Sequence, residues 1–308
     1  MSQSVGDVLL VGSVPLDSAE DVFKTCAASL GDHLKVYPDG EVGARKSWIQ
    51  CQAKLVFDRH PAIDTVKRPR LEDGFSREYD DNWAFRLRSG TEAIQFDDLK
   101  YSGWAVESYA TFNSLRARGV IPPGARFQVS LPSPVGGCAA FFDQLNDRKL
   151  VCSAYEDAMI REVEEICRGV PHEDLAIQWD ICVEVLEIAA AEQMQTADGG
   201  EGSVSLLPGD PWTRAIAQFK RISAAVPPGG DAWLPLLLRG SGSSPPDRTR
   251  RPRAIGPYGE SSGLPLSSAG QLASYAGTDK SRRRRIFCAI ARALEPRRYG
   301  LSRAHSYL

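Results

Sequence analysis

Histidine is scarce. The 308 residues hold four, at positions 33, 60, 172 and 305, and none forms an HxC, HxxxH or HExxH spacing. The short metal-binding patterns of zinc hydrolases and zinc fingers are therefore absent. The seven cysteines include no CxxC pair, and an odd number does not build a disulfide framework, so reduced thiols in a cytoplasmic protein are expected. Cys26, Cys167 and Cys182 lie on apolar stretches and read as small core residues. No run of about 18 apolar residues exists, which leaves no candidate transmembrane helix. The opening MSQSVGDVLLVGSVP lacks a basic region before its apolar run and reads as a buried strand rather than a signal peptide. No GxGxxG or GxxxxGK[ST] marks a nucleotide loop.

Acidic residues nearly vanish after Arg239. Residues 1–239 carry 24 basic and 35 acidic side chains, a net of −11, whereas 240–308 carry 13 and 4, a net of +9. Twelve of those 13 bases are Arg, including the run Arg282–Arg285. The acidic first part argues against nucleic acid as a partner. It is expected to be one folded α/β unit, followed by a Ser/Gly/Pro/Arg-rich, disordered segment over 240–285 and a short helical tail over 286–308.

Within 1–239, apolar runs at Val8–Val11, Leu34–Tyr37, Ala125–Leu131, Leu175–Trp179 and Trp233–Leu238 read as buried strands. Helical spacing links Val22, Phe23, Cys26 and Leu30 behind a Ser18-x-x-Asp21 capping box, and Tyr155, Met159, Val163 and Ile166. Asp210-Pro211 reads as an N-cap with Pro at the first position, ahead of Trp212, Ala215, Ile216, Phe219 and Ile222. Further helices are expected around 48–55 and 105–118. Residues 60–103 are charged and aromatic without a clean period, and read as an insertion or lid with short strands. Strands alternating with helices imply a parallel sheet, as a (β/α)8 barrel or a doubly wound sheet would have.

Polar residues cluster just after the strand ends, where such folds build their sites. Ile177-Gln178-Trp179-Asp180 delivers one carboxylate from a strand, and Glu184 follows four residues on; the pair suits an amino group or acid–base work, although a loop Asp capping a helix reads equally well. Asp39-Gly40-Glu41 flanks a tight turn, with Arg45 and Trp48 following, and a solvated turn is the plainer alternative. Gly12-Ser13 offers close backbone approach and a hydroxyl.

The strings Val11-Gly12-Ser13-Val14-Pro15, Pro38-Asp39-Gly40-Glu41-Val42-Gly43-x-Arg45-x-x-Trp48-Ile49 and Ile177-Gln178-Trp179-Asp180 resemble a little-characterised branch of the cobalamin-independent methionine synthase superfamily, whose barrel is shared with uroporphyrinogen decarboxylase. The resemblance covers roughly residues 5–239. It implies a (β/α)8 TIM-like barrel, incomplete or irregular after about residue 239, and a zinc-dependent methyl- or alkyl-transferase acting on a small thiol or amino-acid substrate. Gly12 and Ser13 would hold the acceptor, Asp180 its amino group, and Asp180 with Glu184 would be the catalytic pair. Asp39, Glu41, Arg45, Trp48 and Trp179 would line the pocket. Zinc is implied as cofactor, yet the family's His-x-Cys is missing from the chain as written. Two other readings stay open: an inactive barrel remnant that only binds, and a decarboxylase-type lyase.

The missing pair has a candidate origin. One permitted coding of Trp233-Leu234-Pro235-Leu236-Leu237-Leu238-Arg239-Gly240 is TGG CTT CCA CTT CTG CTA CGG GGN. One base forward, it reads Gly-Phe-His-Phe-Cys-Tyr-Gly. A shifted frame from about residue 231 would explain both the lost His-x-Cys and the Arg-rich composition that follows.

Overall fold

A computed structural model of the chain describes residues 8–72, 75–76, 82–196, 205–227, 231–233 and 285–286. Its strands are β1 (Val36–Pro38), β2 (Ile63–Lys67), β3 (Leu71–Glu72), β4 (Phe75–Ser76), β5 (Ala84–Leu87), β6 (Arg126–Pro132), β7 (Leu175–Asp180) and β8 (Asp231–Trp233). Its helices are α1 (Ala19–Leu30), α2 (Gln50–Leu55), α3 (Tyr101–Ala117), α4 (Pro134–Cys138), α5 (Leu145–Gly169), α6 (Val183–Thr196) and α7 (Pro211–Ala224).

Strands β1, β6, β7 and β8 form one parallel sheet in that order. The opening segment extends it on the β1 side through the parallel bridges Val8 to Leu34 and Ser13 to Gly40. Spatial order therefore follows chain order throughout. A doubly wound sheet would reverse direction at a switch point, and the described strands do not. The expected barrel is seen only in this coarser form, a mixed α/β architecture with a parallel sheet. Among the described residues no closed sheet is present, and the expected strand over Trp233–Leu238 is described only as far as Trp233. The expected disordered segment over 240–285 lies outside the described residues except at Arg285; the expected helical tail lies outside them except at Ile286, whose side chain is buried.

The helix starts follow from local chemistry. Ser18 caps α1 by accepting from the Asp21 amide at 3.1 Å, and Asp210 caps α7 by accepting from the Thr213 amide at 2.7 Å. Helix α3 starts behind Lys100, which makes no side-chain cap. The buried Glu162 of α5 fills that role from across the interface, accepting from the Leu99 and Ser102 amides at 2.6 and 2.5 Å.

The 60–103 segment is an insertion of two small antiparallel pairs, β2 with β5 and β3 with β4. It is pinned through Phe57, whose ring sits 5.6–5.9 Å from those of Phe85, Phe96, Phe141, Phe142 and Tyr155. Edge-to-face geometry dominates this cluster, the arrangement that the ring quadrupole favours.

Candidate functional site

Side chains alternate across a strand, so β6 and β7 each present two faces. Phe127, Val129 and Leu131 of β6, with Leu175, Ile177 and Trp179 of β7, make an apolar face that joins the helices' core. Gln128 and Ser130, with Gln178 and Asp180, make the other face, and the register sets Ser130 beside Gln178 and Pro132 beside Asp180. A buried polar face needs internal partners. Gln128 Nε2 donates to Gln178 Oε1 at 2.8 Å and to the Leu10 carbonyl at 3.1 Å. Gln178 Nε2 donates to Asp180 Oδ1 at 2.9 Å and to the Val11 carbonyl. This amide ladder fixes the opening segment against the sheet and leads to Asp180.

At the C-terminal ends of the strands the loops converge. Gly12 has φ +137, and a Cβ there would meet Ser130 Oγ at 2.8 Å and Glu41 Cδ at 3.7 Å. Only glycine lets the first loop lie this close to β6 and the second loop. Ser13 Oγ donates to Glu41 Oε2. The Asp39 carboxylate accepts from the Glu41 amide at 3.1 Å, closing the turn, and from Arg45 Nη2 at 2.5 Å. The Arg45 guanidinium also lies over the Trp104 ring, 5.5 Å from its centre. Trp48 Nε1 donates to Asp180 Oδ2 at 3.3 Å. Glu41 and Trp48 hold φ of +52 and +50, two of the three non-glycine residues with positive φ among those described. Such backbone costs of order 1 kcal/mol each and persists where surroundings over-determine it.

Electrostatics single out Asp180. Burial pushes its carboxyl up from an ordinary 3.8 to about 8, and the charge of Glu41 adds to the rise, while hydrogen bonds from Gln178 and Trp48 work against it. Asp180 is thus a neutral acid at pH 7 beside a second carboxyl group. Nearby, burial pushes the Cys51 thiol up to about 11 despite Gln52 and Arg45, so it stays protonated.

The structure brings together Gly12, Ser13, Asp39, Glu41, Arg45, Trp48 and Asp180. It does not bring in Trp179, which is fully buried on the opposite face of β7, its indole nitrogen without a hydrogen-bond partner. Glu184 makes none of these contacts. It sits in the first turn of α6, buried beside the Ser133 hydroxyl. Burial pushes it up to about 7, and the charges and dipoles that act on it come from Ser133, Glu187 and Arg214 rather than from the Ser13–Asp180 cluster. Sequence reasoning missed Gln128, Ser130 and Trp104; only Gln178, two residues before Asp180, carried the period-2 signal of a shared face.

The implied zinc finds no fit among the described residues. The cluster offers oxygen donors, and Asp39 is committed to Arg45. No group of three or more potential metal ligands occurs among the described residues. The shifted-frame His-x-Cys falls outside the described residues.

The packing around Gly40 carries a test. Its φ is +81, and a Cβ would meet Val22 Cγ2 of α1 at 2.6 Å. Gly43, at φ +65, has nothing within 4 Å of the same position. Gly40→Ala is expected to cost about 2–4 kcal/mol in urea unfolding, from strain plus overpacking, against about 1 kcal/mol for Gly43→Ala. Equal losses would show that the Gly40–Val22 contact does not matter.

Fold and site together define a mixed α/β protein with a buried, carboxyl-bearing cluster at the C-terminal ends of parallel strands. Among the described residues no helix is long and apolar enough to cross a membrane. No family model matches the chain, and no curated protein or solved structure gives a match.

Proposed function

We propose that the chain is a methionine-synthase-like barrel protein whose strand-end cluster binds the amino group of a small substrate between Glu41 and Asp180. The carrying observation is the neutral, buried Asp180 beside Glu41. An incoming ammonium brings positive charge up to the Asp180 carboxyl, which then ionises in place. Ser13, already hydrogen-bonded to Glu41, is positioned to orient the substrate's polar group. Arg45 is neutralised by Asp39 and capped by Trp104, which favours an amine over the multiply acidic substrate that a decarboxylase-type lyase would require. Group transfer to the bound substrate is the reaction class that the family resemblance adds to this reading.

Linkage gives the test. At pH 7 the free protein holds close to one proton on Asp180, and an ammonium ligand releases about one proton as it binds. Titration calorimetry with L-methionine, repeated in buffers of different ionisation enthalpy, measures that number. Binding is expected to tighten as pH rises toward 8. N-acetyl-L-methionine, which has no ammonium, is expected not to bind. Equal binding of both probes, or binding without proton release, would sink the reading.

A further inference from the structure

Away from the cluster, two thiols lie against each other. Cys138 ends α4 and Cys152 lies in α5, and their Sγ atoms are 3.2 Å apart, about 1 Å beyond a disulfide bond of about 2.05 Å. Both are buried. Cys138 also donates to the Pro134 carbonyl at 3.1 Å, which holds its sulfur toward α5.

The two differ in access. Cys152 lines an open cavity of about 370 Å³ between α4, α5 and α7, together with Lys149, Ser153, Glu156 and Gln218. Cys138 is not in that wall and is fully buried. A small oxidant entering the cavity therefore reaches Cys152 first and finds Cys138 directly behind it.

We propose that Cys138 and Cys152 form a peroxide-oxidisable dithiol, with Cys152 as the attacked residue and Cys138 as the resolving one. The Cys152 sulfur attacks one oxygen of hydrogen peroxide, the O–O bond breaks, and the second oxygen leaves as water with the thiol proton. Cys152 is then a sulfenic acid. The Cys138 sulfur attacks Cys152 Sγ, the S–O bond breaks, and a second water leaves. Two thiols and one peroxide become one disulfide and two waters. Contact distance compensates for the low nucleophilicity of a buried thiol, because the second step is intramolecular between atoms already in van der Waals contact. The product ties the end of α4 to α5 just beyond Ser133, which follows β6 at the strand-end rim.

The test is peroxide treatment of the full chain, followed by denaturation, alkylation and peptide mass mapping. The expected result is a crosslinked 138–152 peptide pair, lighter by two hydrogens and restored by dithiothreitol, with Cys26 and Cys167 still alkylated. Cys138→Ser is expected to leave a sulfenic acid on Cys152 that dimedone traps, and Cys152→Ser to leave Cys138 a free thiol. The proposal is overturned if both thiols of the pair are alkylated after treatment. It is equally overturned if Cys138 rather than Cys152 carries the dimedone adduct in the single variants, or if the same pairing dominates in urea, where proximity is lost.

Discussion

Asp180→Asn is expected to weaken L-methionine binding at pH 8 by about 100-fold or more, and at the same time to make the protein more stable at that pH. The two effects have one cause. The folded state holds the Asp180 proton up to about pH 8, while the unfolded chain releases it near 3.8. Between those values the native state binds more protons than the unfolded state, so unfolding free energy falls as pH rises. The penalty is absent below pH 3.8, grows through the window, and is complete above about pH 8. At a side chain this deeply buried, holding the proton across that window corresponds to a few kcal/mol, at about 1.4 kcal/mol for each tenfold change in proton concentration. Asparagine resembles the protonated acid. Its oxygen keeps the hydrogen bond from Gln178 Nε2, and the variant avoids the ionisation cost. It also cannot supply its negative charge to the ammonium, which keeps only Glu41, and removing one partner from a buried charge site costs about 3 kcal/mol, the 100-fold loss. Thermal melts from pH 5 to 9 check the first half: the wild-type midpoint should drop toward pH 8 and the variant's should change less. Parallel melting curves for the two proteins would sink the buried-acid account, whatever the calorimetry shows.

The residues of this cluster are legible because each follows a strand end, and strand ends in a parallel sheet converge wherever the sheet curves. Ser13, Asp39, Glu41, Arg45, Trp48 and Asp180 can be gathered on that rule alone. Harder to read is which face each side chain takes. All six residues of β7 are buried, and the alternation that sets its phase spans only Ile177-Gln178-Trp179-Asp180. Trp179 reads as a pocket residue from its nearness to Asp180 along the chain, and the pleat turns it the other way. A four-residue spacing pairs Glu184 with Asp180 only on a helix; Asp180 ends a strand, and the pairing fails there. Long-range order is harder still. Helix α5 begins ten residues before the apolar pattern starting at Tyr155, because Leu145–Ala154 begins with a polar stretch. Helix α6 carries Glu184 and Glu187 on its buried side and offers no clean stripe by which the sequence could reveal it. Closure is the remaining gap: chain order and spatial order run together from β1 to β8, and the described strands stop there.

Glu187 explains its own burial, and it carries the largest expected loss of stability. Its side chain is 1% exposed, and Arg214 of α7 meets it with one nitrogen 2.8 Å from each carboxylate oxygen. The carboxylate also accepts from the Leu206 amide at 2.6 Å and from Ser205 Oγ at 3.0 Å. Arg214 Nη1 reaches the Leu207 carbonyl at 3.0 Å and the Pro208 carbonyl at 3.2 Å. One ion pair thus ties α6, α7 and the 205–209 segment that leads into α7. Arg214→Met keeps the apolar stem and removes the charge, leaving Glu187 buried without a cation, and should cost about 3–5 kcal/mol in urea unfolding. Adding Glu187→Gln to Arg214→Met should restore much of it at neutral pH, since the double variant buries no net charge. The exposed pair Lys24–Glu20, with both side chains nearly half accessible, sets the contrast: Lys24→Met should cost under about 0.5 kcal/mol. A loss at Arg214 no larger than the loss at Lys24 would mean that the buried pair contributes no more than a surface contact.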